Sequence, residues 1–139
     1  MENLKNEVKM ENLKKLINLA KHKQQIDIKR GEAKFMNPHW LLDSIRDEVE
    51  EVREEIKPNN TAHLEDELSD ILWGWMVLVE KLNDSEYVGT HEAVIKRALK
   101  KYEERILPLK GDASDHEIWC EVKAKQKVML EEEKICKKK

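Results

Sequence analysis

Leu42, Ile45, Val49, Val52 and Ile56 stand three, four, three and four residues apart, and the rhythm returns nineteen residues later at Leu64, Leu68, Ile71 and Trp75. At about 3.6 residues per turn, each series draws one apolar stripe down a helix. Between them, Lys57-Pro58-Asn59-Asn60-Thr61 is a short breaker of the kind that reverses the chain between packed helices. Two helices with matched stripes, joined this way, suit an antiparallel hairpin. Composition agrees. Of 139 residues, 40% are charged and 5% aromatic, with four Gly and three Pro, whereas sheets want β-branched and aromatic residues and frequent turns.

The same reasoning predicts a first helix over about 2–29, striped by Leu13, Leu16, Ile17 and Ala20, with 1–12 as an N-terminal extension. MENLK occurs at 1–5 and 10–14 and does not recur, so no solenoid is implied. GEAKFMNP (31–38) reads as a connection whose Asn37-Pro38 starts a helix over 38–56. A third helix follows over 61–82, capped by Asn60 or Thr61, with Leu78 and Leu82 extending its inward stripe. A fourth is expected over 90–106 and a last over 114–134, with 131–139 as a charged, fraying tail. The expected fold is all-α: a single domain over 1–139, built as an antiparallel bundle of four to five helices. The segment 71–79 is apolar on nearly every side, Trp73 and Met76 included, and such a helix needs partners all round. In so short a chain, that predicts completion of the bundle by dimerisation, as a homodimer or larger assembly.

Several function classes fall away. The formal net charge is −3, so no global basic field points to nucleic acid. Cys120 and Cys136 form no CxxC motif, and such sparse usage suits a reducing cytoplasm. No signal peptide is visible, and the apolar run 71–79 is too short to span a bilayer. The five histidines show no ligand spacing such as HExxH, although His63, four residues before Glu67, is within reach of that acid. No nucleophilic triad and no Gly-rich phosphate loop is present.

The acids keep a register. Shifting Glu48 and Glu51 by the nineteen residues that superpose the stripes lands on Glu67 and Asp70, so all four occupy the same flank. In a hairpin the two pairs converge beside the seam. Gathered carboxylates raise one another's pKa unless something neutralises them, and hard divalent cations do so through oxygen ligands. A cation there would imply phosphate chemistry, polarising a phosphoryl oxygen and activating a water. In a chain so rich in charge, a solvated acidic face is the competing reading, and register alone leaves both standing.

A resemblance adds to this. Asp47-Glu48-x-x-Glu51 followed by Glu67-x-x-Asp70 resembles the EExxE…ExxD signature of MazG-type nucleotide pyrophosphohydrolases, and ELSDIL (67–72) is similar to the ELGDLL common there. ALKKYEERILP (98–108) resembles the family segment with a Lys and an Arg four apart, at Lys101 and Arg105. WCEVK (119–123) resembles its C-terminal segment, at Trp119 and Lys123, so the likeness runs over about 41–127. It implies hydrolysis of nucleoside triphosphates to monophosphates and pyrophosphate by an all-α oligomer. Glu48, Glu51, Glu67 and Asp70 would hold Mg2+, or Mn2+ in its place, with Glu48 or Glu51 also orienting or deprotonating the attacking water. Lys101, Arg105 and Lys123 would face phosphates and Trp119 the nucleotide. Departures are visible. Asp47 replaces the first Glu of the signature, and Ser44 stands where several members carry Lys, with Arg46 as a substitute. NPHW (37–40) occupies the region of the Cys-Pro-Trp-Asp loop of larger members, so substrate preference does not transfer. The rivals are related all-α pyrophosphatases for dUTP, dCTP or phosphoribosyl-ATP, and a non-enzymatic helical interaction module.

Overall fold

A computed structural model describes residues 2–137, with side chains from Met10 onward and that of Asn3. Met1, which opens the first MENLK, and the last two residues of the expected tail lie outside the described residues. Every regular element among the described residues is a helix: α1 (Glu2–Arg30), α2 (Ala33–Met36), α3 (Pro38–Glu55), α4 (Thr61–Asp84), α5 (His91–Ile106) and α6 (Asp115–Lys137). The five long helices are those the sequence predicts. The single turn α2 inside GEAKFMNP is an addition, and α6 continues through the segment expected to fray.

Local chemistry sets the boundaries. Gly31, at φ 68°, takes the left-handed conformation that ends α1, its N–H donating to the Asp27 carbonyl at 3.1 Å. The Asn37 side chain accepts from the His39 N–H at 2.9 Å and Pro38 occupies the first turn, so α3 starts where Asn-Pro predicts. Asn60 is the N-cap residue of α4 without a side-chain capping bond. Its amide reaches back instead, donating to the Glu55 carbonyl at 2.9 Å and to the Glu55 carboxylate at 2.6 Å.

The chain divides into two compact units, Met1–His91 and Glu92–Lys139. In the first, α3 and α4 run antiparallel, with Ile45 against Gly74 and Glu48 and Glu51 beside Glu67 and Asp70. The core lies on the other side of α4, where Ile17 and Ala20 of α1 meet Met76 and Val77, flanked by Leu16, Leu41, Trp73 and Trp75. This widens the expected inward face. Of the stripe, Leu64, Ile71, Trp75, Leu78 and Leu82 are half-buried and Leu68 is 49% exposed, while Met76, outside the stripe, is fully buried in the core with α1. Periodicity finds an apolar stripe, but a helix apolar all round leaves open which side a third helix will cover.

The buried face of α1 changes character along its length. Ile17 and Ala20 continue into Gln24 and Asp27, both buried. The Lys81 ammonium donates to Gln24 Oε1 at 3.0 Å and stands 3.8 Å from Asp27 Oδ2. Gln24 Nε2 donates to Asp84 at 3.2 Å, and Lys23 donates to Asp27. Burial pulls the Lys81 pKa down, while the Asp27 charge acts against the fall. At the end of the unit, buried His91 lies with Nε2 2.7 Å from the Met76 carbonyl, to which it donates, and its ring edge-on to Trp75.

The second unit is an antiparallel pair of helices. Arg97 donates two bonds to Glu133, at 3.1 and 2.9 Å, and holds that carboxyl down at about 2. Arg105 Nε donates to Gln126, whose amide donates to the Lys101 carbonyl at 3.0 Å. Asp115 accepts from the Lys110 and Gly111 N–H groups at 2.8 Å, fastening the loop before α6. No helix among the described residues is long and apolar enough to cross a membrane.

Candidate metal centre

Glu48 and Glu51 stand one turn apart on α3, and Glu67 and Asp70 one turn apart on α4. Each of the four offers a carboxylate oxygen, and these oxygens all lie within 4.8 Å of one another. Glu48, Glu67 and Asp70 are half-buried and Glu51 is exposed. Close approach has electrostatic consequences. The Glu48 carboxyl is pushed up to about 7, first by sharing a hydrogen bond with Glu51, then by burial and repulsion from Glu51, Asp70 and Glu67. Glu67 is raised as well, by burial first and then by its hydrogen bond with Glu51 and the surrounding charges. Burial and close approach thus favour the protonated forms of Glu48 and Glu67 in the protein alone.

Among the described residues, Glu48 Oε2 and Glu67 Oε2 are buried without a hydrogen-bond partner. Buried polar atoms are nearly always paired, and a solvated acidic face does not bury unpaired oxygens. A set of hard oxygen donors with two buried, unpartnered members fits a hard divalent cation such as Mg2+ or Mn2+. Asp47 is not in the cluster, and Arg46, the candidate substitute for a family Lys, is exposed and pairs with Asp43 at 3.4 Å. His63 is exposed and outside it too.

A cavity of about 230 Å³ adjoins the cluster, with Glu48 and Asp70 in its wall. Phe35, Trp40 and Trp73 supply aromatic surface, the first two edge-to-face at 5.3 Å between ring centroids. Lys23, Asp27 and Lys81 complete the lining with charge, and Ser44 also faces it. Sequence reasoning passed over these charged residues. Their signal was faint: Gln24 and Asp27 keep the three-four phase of Ile17 and Ala20, and Lys81 keeps the phase of Gly74 and Val77, with polar residues where apolar ones are sought.

The expected phosphate-facing residues belong to the second unit. The Arg105 guanidinium lies 5.3 Å from the Trp119 ring centroid and 5.7 Å from that of Tyr102, and the Lys101 ammonium 5.6 Å from Tyr102. Arg105 and Trp119 are half-buried, Lys101 and Lys123 exposed. The structure therefore joins Lys101, Arg105 and Trp119 around two aromatic rings, with Lys123 outside these contacts.

The family model of the MazG nucleotide pyrophosphohydrolase domain matches residues 36–106, just over half of the chain. The matched segment holds the four gathered acids, Lys101 and Arg105. Trp119, Lys123 and all of α1 lie outside it. No curated protein and no solved structure matches the chain. With half of it matched and with the acid pairs brought together on α3 and α4, the chain belongs to the MazG nucleotide pyrophosphohydrolase family.

Proposed function

We propose that the chain hydrolyses nucleoside triphosphates, ribo- or deoxyribonucleotides, to monophosphate and diphosphate, in dependence on Mg2+ with Mn2+ able to substitute. The observation that carries this is the convergence of four carboxylates, two with buried unpartnered oxygens, in a chain of this family. Bound there, the cation would polarise a phosphoryl oxygen and lower the pKa of a water. Glu48, Glu51, Glu67 and Asp70 would hold it. Glu48 or Glu51 orients the water and takes its proton as the water oxygen bonds to the α-phosphorus and diphosphate departs. Lys101, Arg105 and Lys123 offset phosphate charge, and Trp119 packs against the nucleotide. Two copies of the chain pair over the exposed apolar side chains of α3 and α4.

The test is diphosphate release from a panel of NTPs and dNTPs, with Mg2+ and with EDTA. Glu67→Gln and Asp70→Asn should each lower turnover at least about a hundredfold, since even partners behind metal ligands cost ten- to a hundredfold. Their circular dichroism should stay helical. Near-normal turnover in both variants would remove these residues from the site. Lys101→Ala should raise KM and leave Mg2+ stabilisation of the fold intact; equal loss of both would argue against its phosphate role. An interaction module with merely solvated acids would show neither turnover nor Mg2+ stabilisation.

A further inference from the structure

The cavity beside the acids is aromatic over part of its wall and charged over another, where α1 and the end of α4 contribute Lys23, Asp27 and Lys81. The side chains of Lys81 and Asp27 are 4% and 2% exposed. Burying an ammonium and a carboxylate costs several kcal/mol each before their attraction and hydrogen bonds are counted, and an apolar pair would fill the space without that penalty. Their bonding capacity is not used up by the fold. Lys81 has three N–H donors; one goes to Gln24, and the 3.8 Å separation from Asp27 is longer than a hydrogen bond. Asp27 accepts from Lys23 at Oδ1, and a carboxylate offers about four lone-pair sites. Gln24, held in turn by Asp84, fixes the ammonium in place.

Resting on the reading of the acids as a triphosphate site, we propose that Asp27 and Lys81 select the base of the nucleotide. The class they admit carries a ring N–H beside a carbonyl: guanine, hypoxanthine, uracil or thymine. The carboxylate accepts from the ring N–H, and in guanine from the neighbouring amino group as well, while the ammonium donates to the carbonyl. Adenine and cytosine present the reverse edge. Their ring nitrogen, an acceptor, meets the carboxylate, and their amino group, a donor, meets the ammonium. Both mismatches fall in a desolvated place, where an unmade bond is most costly. Asp70 and Lys81 are eleven residues apart on α4, about 16 Å of helix rise, and both line this cavity. Trp40, Phe35 and Trp73 supply ring surface for the base.

Two readouts test this on the wild-type chain. One is kcat/KM with Mg2+ for GTP, ITP, UTP, dTTP, ATP and CTP. The other is quenching of tryptophan fluorescence by GMP, UMP, AMP and CMP in EDTA, which needs no turnover because Trp40 and Trp73 line the cavity. The keto bases should lead by at least about tenfold in kcat/KM and lead in affinity as monophosphates. Asp27→Asn, which adds a donor, should shrink the gap to a few-fold; if it fails to fold, Lys81→Met should do the same. Cleavage with a flat ranking, or one led by ATP or CTP, overturns the base assignment and spares the hydrolase reading. No cleavage, with monophosphates binding in the expected order, overturns the hydrolase reading and upholds the base site. Neither cleavage nor binding overturns both.

Discussion

Glu48 retains a proton up to about pH 7 in the fold and gives it up near 4.5 when the chain unfolds. A carboxyl whose pKa is raised by folding stabilises the fold fully below its unfolded value, and the contribution vanishes as pH climbs through the folded value. In EDTA the Tm should therefore fall between about pH 5 and 7.5, and Glu67 pushes in the same direction. Glu133, held down by Arg97, acts in the opposite sense but at more acid pH, below this window. Adding Mg2+ at pH 7.5 should restore the lost stability, because a cation takes up deprotonated carboxylates. Glu48→Gln should flatten the decline and lose the restoration; a wild-type Tm indifferent to pH and Mg2+ alike would contradict the picture. The four acids were legible in the sequence because they share a phase with two apolar stripes. Asp27 and Lys81 were not, because each is a charged residue in a phase where a pattern search seeks apolar ones, Asp27 beyond Ala20 on α1 and Lys81 beyond Val77 on α4.

Gly74 sets how closely α3 and α4 approach. A Cβ there would stand 2.7 Å from Ile45 Cγ1, a β-branched neighbour with little freedom to move. Gly74→Ala gains about 1 kcal/mol of helix propensity and meets an overpacking penalty of about 1–3 kcal/mol, so a net loss of about 1 kcal/mol is expected in urea unfolding. Gly74→Val should lose more and also weaken Mg2+ binding, since the acid pairs flank the same seam. A stabilised Gly74→Ala would mean that Ile45 yields freely. Helix positions were legible from periodicity, turn residues and Asn37-Pro38. The turn α2 was not, because four residues carry no period, and the Asn60 amide turned away from the cap for a local partner in Glu55.

Buried apolar side chains among the described residues are few: Ile17, Ala20, Met76, Val77 and Val79, all in the first unit. Leu42, Val49, Leu68 and Leu72 on α3 and α4 stay 42–49% exposed, more apolar surface than a thin core leaves unmatched without consequence. If two copies pair there, light scattering should give about twice the 16.5 kDa chain mass, and Tm should rise with concentration. Leu68→Glu should shift the mass toward one chain and lower the Tm; a single-chain mass for the unaltered protein would end the idea. The sequence argument for pairing leaned on Met76, which α1 covers within the chain, so the surface now at issue is the one the stripe was expected to bury. The wall of the cavity, finally, divides unevenly between helices. Glu48 and Asp70 stand on α3 and α4, whereas Lys23 and Asp27 stand on α1, outside the matched segment. Variation confined to one helix can thus redraw what the chamber admits and leave every carboxylate of the cluster in place, as a lock is rekeyed without replacing its bolt.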